Sequence, residues 1–150
     1  MNRPGRRRFL AGAGGALALA VLPEGASAQT ATDPVLQSVV RGAPVRRGRV
    51  KLELPELADN GNSVPVKVTV DSPMTAADHV RAIHLLSERN PERNMATFRL
   101  GPHAGRAEIA SRVRLAGSQR VIALAELSDG SFWMDSAEII VTLSACIDES

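Results

Sequence analysis

Ala107-Glu108-Ile109-Ala110-Ser111-Arg112-Val113-Arg114-Leu115 puts Ala107, Ile109, Ser111, Val113 and Leu115 on one side of an extended chain, and Glu108, Arg112 and Arg114 on the other. A sustained two-residue period predicts a strand with one face in a core and one in water. The same signal recurs on both sides of it. Upstream, Val50, Leu52 and Leu54 alternate with Lys51 and Glu53 until Pro55. The turn Asn60-Gly61-Asn62 then leads to Val64, Val66, Val68 and Val70, alternating with Pro65, Lys67 and Thr69. Pro65 cannot donate to a ladder, so this strand is expected to begin at or near an edge. Val80 to Ser87 fits either period, but the turn residues Asp71-Ser72-Pro73 and Asn90-Pro91 leave room only for a short element, and a strand is expected. Met95 to Leu100 forms another, followed by a turn at Pro102 to Gly105.

Downstream, Gly117-Ser118 turns the chain into Val121 to Leu127, and Asp129-Gly130 connects to Phe132-Trp133-Met134. The run Ala137 to Leu143 closes the series. Before all of these, Asp33 as N-cap, Pro34 in the first turn and apolar Val35, Leu36, Val39 and Val40 predict one short helix, ended by Gly42-Ala43-Pro44. The reading is an all-β fold, an immunoglobulin-like β-sandwich of about seven to eight strands with a short N-terminal helix.

The first residues carry a different signal. Arg3, Arg6, Arg7 and Arg8 precede Phe9-Leu10 and an apolar stretch from Ala11 to Leu22, and Ala26-Ser27-Ala28 fits a cleavage site. That stretch is shorter than the roughly 20 residues of a membrane-spanning helix. Consecutive arginines followed by Phe9-Leu10 resemble a twin-arginine signal, so export to the periplasm by that route is expected. Removal of residues 1–28 leaves 122 of the 150 residues and takes the formal charge from +2 to −1, because the segment holds four arginines and Glu24. The basic pI of about 9.3 thus belongs mostly to the leader. The mature chain offers no charge pattern for nucleic acid or an anionic membrane, and neither partner is expected. The expected organisation is a signal at 1–28, helix and linker at 29–48, the sandwich at 49–143 and a C-terminal arm at 144–150.

The arm, Ser144-Ala145-Cys146-Ile147-Asp148-Glu149-Ser150, holds the only cysteine. Without an intrachain partner, Cys146 is a free reactive thiol, half of an intermolecular bond, or incidental. With Ile139, Val141 and Leu143 facing the core, Cys146 would fall on the opposite side, among polar neighbours. The histidines, His79, His84 and His103, share no metal-type spacing, and His84 is expected to face solvent or be hydrogen-bonded. No carboxylate pair, G-x-S-x-G, phosphate loop or C-x-x-C is present, so an active site of the chain's own, a cofactor or a metal is not expected. Asn90-Pro91-Glu92-Arg93-Asn94 reads as a polar loop. Trp133 is expected in the core of a sandwich with so few aromatics.

Several stretches together resemble the SoxY family, sulfur-carrier subunits of periplasmic thiosulfate oxidation. They are Asp59-Asn60-Gly61-Asn62-Ser63-Val64-Pro65-Val66, Asp71-Ser72-Pro73-Met74, Ile83-His84, Ala96-Thr97-Phe98, Gly105-Arg106-Ala107-Glu108 and Ala125-Glu126-Leu127-Ser128-Asp129-Gly130-Ser131-Phe132-Trp133-Met134. The resemblance implies a non-enzymatic carrier that pairs with a SoxZ-like subunit as a heterodimer. It implies that Cys146 holds the sulfur substrate covalently while a haem protein, a hydrolase and a molybdenum enzyme act on it in transient contacts. Where the family's arm is Gly-Gly-Cys-Gly-Gly, this chain has branched Ile147 and acidic Asp148 and Glu149 beside the thiol. Those charges disfavour a thiolate, and a weaker nucleophile is expected. The competing expectations are a diverged subunit that has kept the fold but no longer carries sulfur, and a thiol enzyme, which here would lack a resolving cysteine and a visible base.

Overall fold

The structure, a computed structural model, describes residues 33–143. The expected leader at 1–28 and the Cys146 arm lie outside the described residues. Helix α1 (Pro34–Val40) is followed by nine strands: β1 (Val45–Arg47), β2 (Val50–Glu53), β3 (Leu57–Asn60), β4 (Val64–Val70), β5 (Val80–Ser87), β6 (Asn94–Arg99), β7 (Ala107–Val113), β8 (Gln119–Leu127) and β9 (Phe132–Leu143). A single 3₁₀ turn, Pro102–Ala104, sits where a turn is expected. None of the described helices is long and apolar enough to cross a membrane.

The strands form two sheets. The larger runs β1-β9-β8-β5-β6, with β3 also paired to β9, and the smaller runs β2-β4-β7. Between them lies the main core: Val50, Leu52 and alternate valines of β4 from the smaller sheet meet Ile83, Leu85, Val121, Ala123, Ala125 and Ile139 from the larger. This is an immunoglobulin-like sandwich, and the two-residue period of β4 and β7 marks its inner face. Pro65 lies beyond the end of β2, where β4 has only β7 beside it, so the missing donor costs no ladder bond.

Three features depart from the sequence reading. Short strands β1 and β3, neither marked by alternation, pair in parallel with β9, Val45–Arg47 beside Phe132–Met134 and Leu57–Asn60 beside Ile140–Leu143. Phe132–Met134 and Ala137–Leu143 are one continuous twelve-residue strand, not two, because β8 offers an unbroken partner from Glu126 to Gln119. Leu143, although on the same face as Ile139 and Val141, is not buried in the core; it is 64% exposed, since the smaller sheet does not cover that end of β9.

The larger sheet is apolar on both faces. Leu86, Ile122, Leu124 and Met134 point away from the main core and are covered by Val35, Leu36 and Val40 of α1, with Val45. That second burial explains why β8 reads as a continuous apolar run, Val121-Ile122-Ala123-Leu124-Ala125. The Asp33 carboxylate caps α1 by accepting from the Val35 amide at 3.0 Å, and its other oxygen pairs with Arg120 of β8 at 2.8 Å. Arg41 closes the helix in a left-handed conformation, φ 51°, donating its amide to the Gln37 carbonyl.

A buried polar cluster joins the turn after β5 to the turn before β8. Ser87 Oγ donates to Gln119 Oε1. The Gln119 amide donates to Asn90 Oδ1 at 3.1 Å. Asn90 Oδ1 also accepts from the Ala116 amide at 2.9 Å, and its Nδ2 donates to the Arg114 carbonyl at 2.7 Å. Asn90, read as part of a polar loop, is thus a buried link. Its removal leaves an amide, a carbonyl and a glutamine N–H without partners, so Asn90→Ala is expected to lower stability by about 2–3 kcal/mol. Urea unfolding checks this; a loss under about 0.5 kcal/mol would mean water replaces the side chain freely.

Candidate functional site

The C-terminal end of β9 is the last described stretch before the Cys146 segment, and it is held along both edges. The Glu56 carbonyl accepts from the Ile140 amide at 2.9 Å, and the Gly61 amide donates to the Leu143 carbonyl at 2.7 Å. Thr142 Oγ1 donates to the Asp59 carbonyl at 2.7 Å. On the opposite side, Ser118 Oγ accepts from the Val141 amide at 2.8 Å. Gly61 in turn passes its carbonyl to the Leu115 amide at 2.8 Å, fastening the root to the chain just after β7. The strand is therefore ordered by specific bonds up to its last described residue. The exposed large apolar side chains among the described residues, Leu57, Ile140 and Leu143, all cluster at this end. Cys146 lies three residues farther on, outside the described residues; three extended residues span about 10 Å.

Trp133, expected in the core, is only half-buried. It packs against the edge of the main core, while Arg46 and Arg49 lie 5.8 Å and 5.5 Å from its ring centroid. The cause is its place at the N-terminal end of β9, beside β1, where the smaller sheet gives way to the Arg46–Arg49 turn. Its indole N–H donates to Ser131 Oγ at 3.2 Å. Asp129 accepts from the Ser131 amide and hydroxyl at 2.8 Å and 2.6 Å, and these bonds hold its carboxyl below the usual range. Gly130, at φ 83°, makes this turn in a conformation that side chains rarely adopt.

The three histidines do not converge. His79 Nδ1 meets the Thr75 carbonyl at 3.0 Å, and His103 lies in the 3₁₀ turn. His84 is hydrogen-bonded, as one of its two expected states, with Nδ1 3.0 Å from Thr97 Oγ1. It does not face solvent: it is 9% exposed, and its Nε2 is buried without a partner among the described residues. Burial pushes its pKa below the ordinary value; Glu126 opposes that shift and Arg99 adds to it. Among the described residues no three His, Cys, Asp or Glu side chains are placed to hold a metal ion.

His84 belongs to the one polar band that sequence reasoning missed. The outer face of the larger sheet beyond α1 forms a groove of about 910 Å³, lined by Arg41, His84, Asn94, Thr97, Arg99 and Glu126 among others. The signal for it was present but faint: polar residues at the outward positions of β6, continued by His84 of β5 and Glu126 of β8 in strands whose other central outward positions are apolar.

The family model for the sulfur oxidation protein SoxY matches residues 36–146. No curated protein sequence matches the chain. Among solved structures, the sulfur carrier protein SoxY from Chlorobium limicola f thiosulfatophilum is similar at a TM-score of 0.60 and 22% identity, covering 72% of this chain and 93% of that one. A superoxide reductase (neelaredoxin) from Ignicoccus hospitalis has a TM-score of 0.56 at 23% identity, covering 63% and 80%. A putative superoxide reductase from Thermotoga maritima has a TM-score of 0.56 at 21% identity, covering 65% and 93%. At these identities the structural likenesses report a shared fold.

The His84 environment has a measurable consequence. Its folded pKa lies below the unfolded value of about 6.5, so between the two the unfolded chain binds more protons. Stability from this group is present above pH 6.5 and is lost as pH falls through the folded pKa. His84→Gln is expected to flatten that acid limb of the stability profile, measured by urea unfolding from pH 7.5 to 4.5. An unchanged slope in the variant, or an NMR titration of His84 at or above 6.5, would contradict the assignment.

Proposed function

The chain belongs to the SoxY family of sulfur oxidation proteins, and from that premise we propose that it is a periplasmic carrier holding thiosulfate-derived sulfur covalently on Cys146. The observation that carries this reading is the extent of the family match, which runs through the sandwich and on to Cys146 itself. The root at Leu143 supports it: a strand bonded as far as Val141 on one side and Leu143 on the other gives an arm a fixed origin. The carrier itself is not an enzyme, and each chemical step belongs to a partner.

In the first step the Cys146 thiolate forms a sulfur–sulfur bond to the outer sulfur of thiosulfate. Two electrons leave, and a haem-containing partner accepts them. A hydrolase partner then cleaves the terminal sulfonate with water, releasing sulfate and leaving a persulfide on Cys146. A molybdenum enzyme oxidises that sulfur by six electrons to a new sulfonate, which a second hydrolysis releases as sulfate to regenerate the thiol. The intermediate stays attached throughout, so each partner meets it at the effective concentration of a tethered group. A SoxZ-like subunit completes the carrier as a heterodimer, and export follows the twin-arginine route. Exposed Leu57 and Ile140, beside the root of the arm, are apolar area that a partner would remove from water.

The arm's composition supports one rival, a diverged subunit that keeps the fold and partner without the cargo, because Ile147, Asp148 and Glu149 stand where glycines serve the family. Intact-mass spectrometry separates the two. The protein is purified from its own cells during thiosulfate oxidation, as wild type and as Cys146→Ser. Sulfur-sized additions present in the first and missing from the second are expected; an unmodified wild-type chain under those conditions would establish the rival.

A further inference from the structure

The groove beyond α1 has the makings of a second site, separate from the arm. Its floor is fixed by strand register: His84 stands between Thr97 of β6 and Leu124 of β8, and Ala82 between Arg99 and Glu126. Its far wall is the end of α1, from Ser38 to Arg41. Three observations point to a ligand. His84 is more than nine-tenths buried, yet its Nε2 has no hydrogen-bond partner among the described residues. Native structures rarely leave such an atom unsatisfied. Arg41 and Arg99 are exposed on the lining, and neither guanidinium has an ion-pair partner among the described residues. The groove's carboxylate, Glu126, is already offset by Arg81 at 3.8 Å. The lining therefore carries uncompensated positive charge around a neutral hydrogen-bonding imidazole.

We propose that this groove binds a small oxoanion, with Arg41 and Arg99 as its charge partners and His84 at its floor. Guanidinium forks match the paired oxygens of sulfur and phosphorus oxoanions. The Asn94 amide, on the lining, has a second N–H for such a ligand besides the one it gives Thr97 Oγ1 at 3.3 Å. An oxoanion held by Arg41 and Arg99 beside His84 favours the protonated ring. The charged groups acting on that ring are Glu126 from β8 and Arg99 from β6, and Arg41 of the α1 cap lies on the same lining.

The site does not depend on Cys146, so the test uses the full chain carrying Cys146→Ser, which removes covalent loading. Thiosulfate, sulfate and phosphate are titrated by calorimetry at constant ionic strength, and the His84 ring is followed by NMR. Saturable one-site binding by at least one of the three anions is expected, with the His84 pKa rising on saturation. Arg99→Gln and Arg41→Gln each weaken it about tenfold, while their thermal unfolding midpoints stay close to the parent's. Binding that never saturates overturns the proposal. So does saturable binding that the double arginine variant retains, or that leaves the His84 signals in place.

Discussion

The larger sheet has two apolar faces, and the rest of the structure follows from covering both. One face is met by the three-stranded sheet. The other cannot be left wet, because Leu86, Ile122, Leu124 and Met134 stand on it together, and fully burying each such side chain is worth about 1.5–3 kcal/mol. Helix α1 supplies the cover. Seven residues are too few to be helical alone, so α1 exists because Val35, Leu36 and Val40 pack there and because Asp33 is held by Arg120. The cover is also incomplete. The helix stops at Arg41, and the outward positions past it are polar: Thr97, His84, Glu126 and Arg99. The groove is the part of the sheet that a short helix does not reach.

The same economy of length governs the arm. β9 is bonded to β8 along one side and to β1 and β3 at the two ends of the other. The two parallel pairings bring residues from the start of the domain against its last strand. They make the arm's origin a property of the whole fold: loosening β3 would free Ile140 to Leu143 and lengthen the arm by several residues. On the carrier reading, the fixed end of β9, with exposed Leu57 and Ile140 beside it, is where partners must come to the chain.

How much of this the sequence disclosed depends on which forces leave a periodic trace. β4 and β7 bury one face each, and their alternation places Val64 to Val70 and Ala107 to Val113 without ambiguity. The cap Asp33-Pro34 and the turn Asp129-Gly130 are local chemistry and equally legible. β1 and β3 are not, because Val45-Arg46-Arg47 and Leu57-Ala58-Asp59-Asn60 are short edge pieces whose reason for being strands is the neighbouring backbone of β9. Trp133 and Leu143 misled for a related reason. Both lie on the inward register of β9, but at its ends, where the smaller sheet does not extend, and periodicity reports direction without reporting cover. The groove escaped notice because its residues come from five elements distant in sequence.

The fold is shared with superoxide reductases as well as a SoxY, so the sandwich alone does not define a chemistry. In this chain His79, His84 and His103 are each held separately, and the carrier reading rests on the arm. Two features of that arm oppose carriage, and they differ in kind. The carboxylates of Asp148 and Glu149 repel an anionic substrate, but two unit charges 4 Å apart in water interact by only about 1 kcal/mol, and salt screens them further. That slows attachment without forbidding it. Ile147 is another matter, because a packed passage in a partner enzyme yields poorly to added volume, and overpacking costs about 1–3 kcal/mol at each tight point. On the carrier reading, a chain with this arm delivers sulfur only to partners whose entrances are wide enough for a branched side chain next to the thiol. The identity of residue 147, more than the charge around it, then determines which enzymes it can serve.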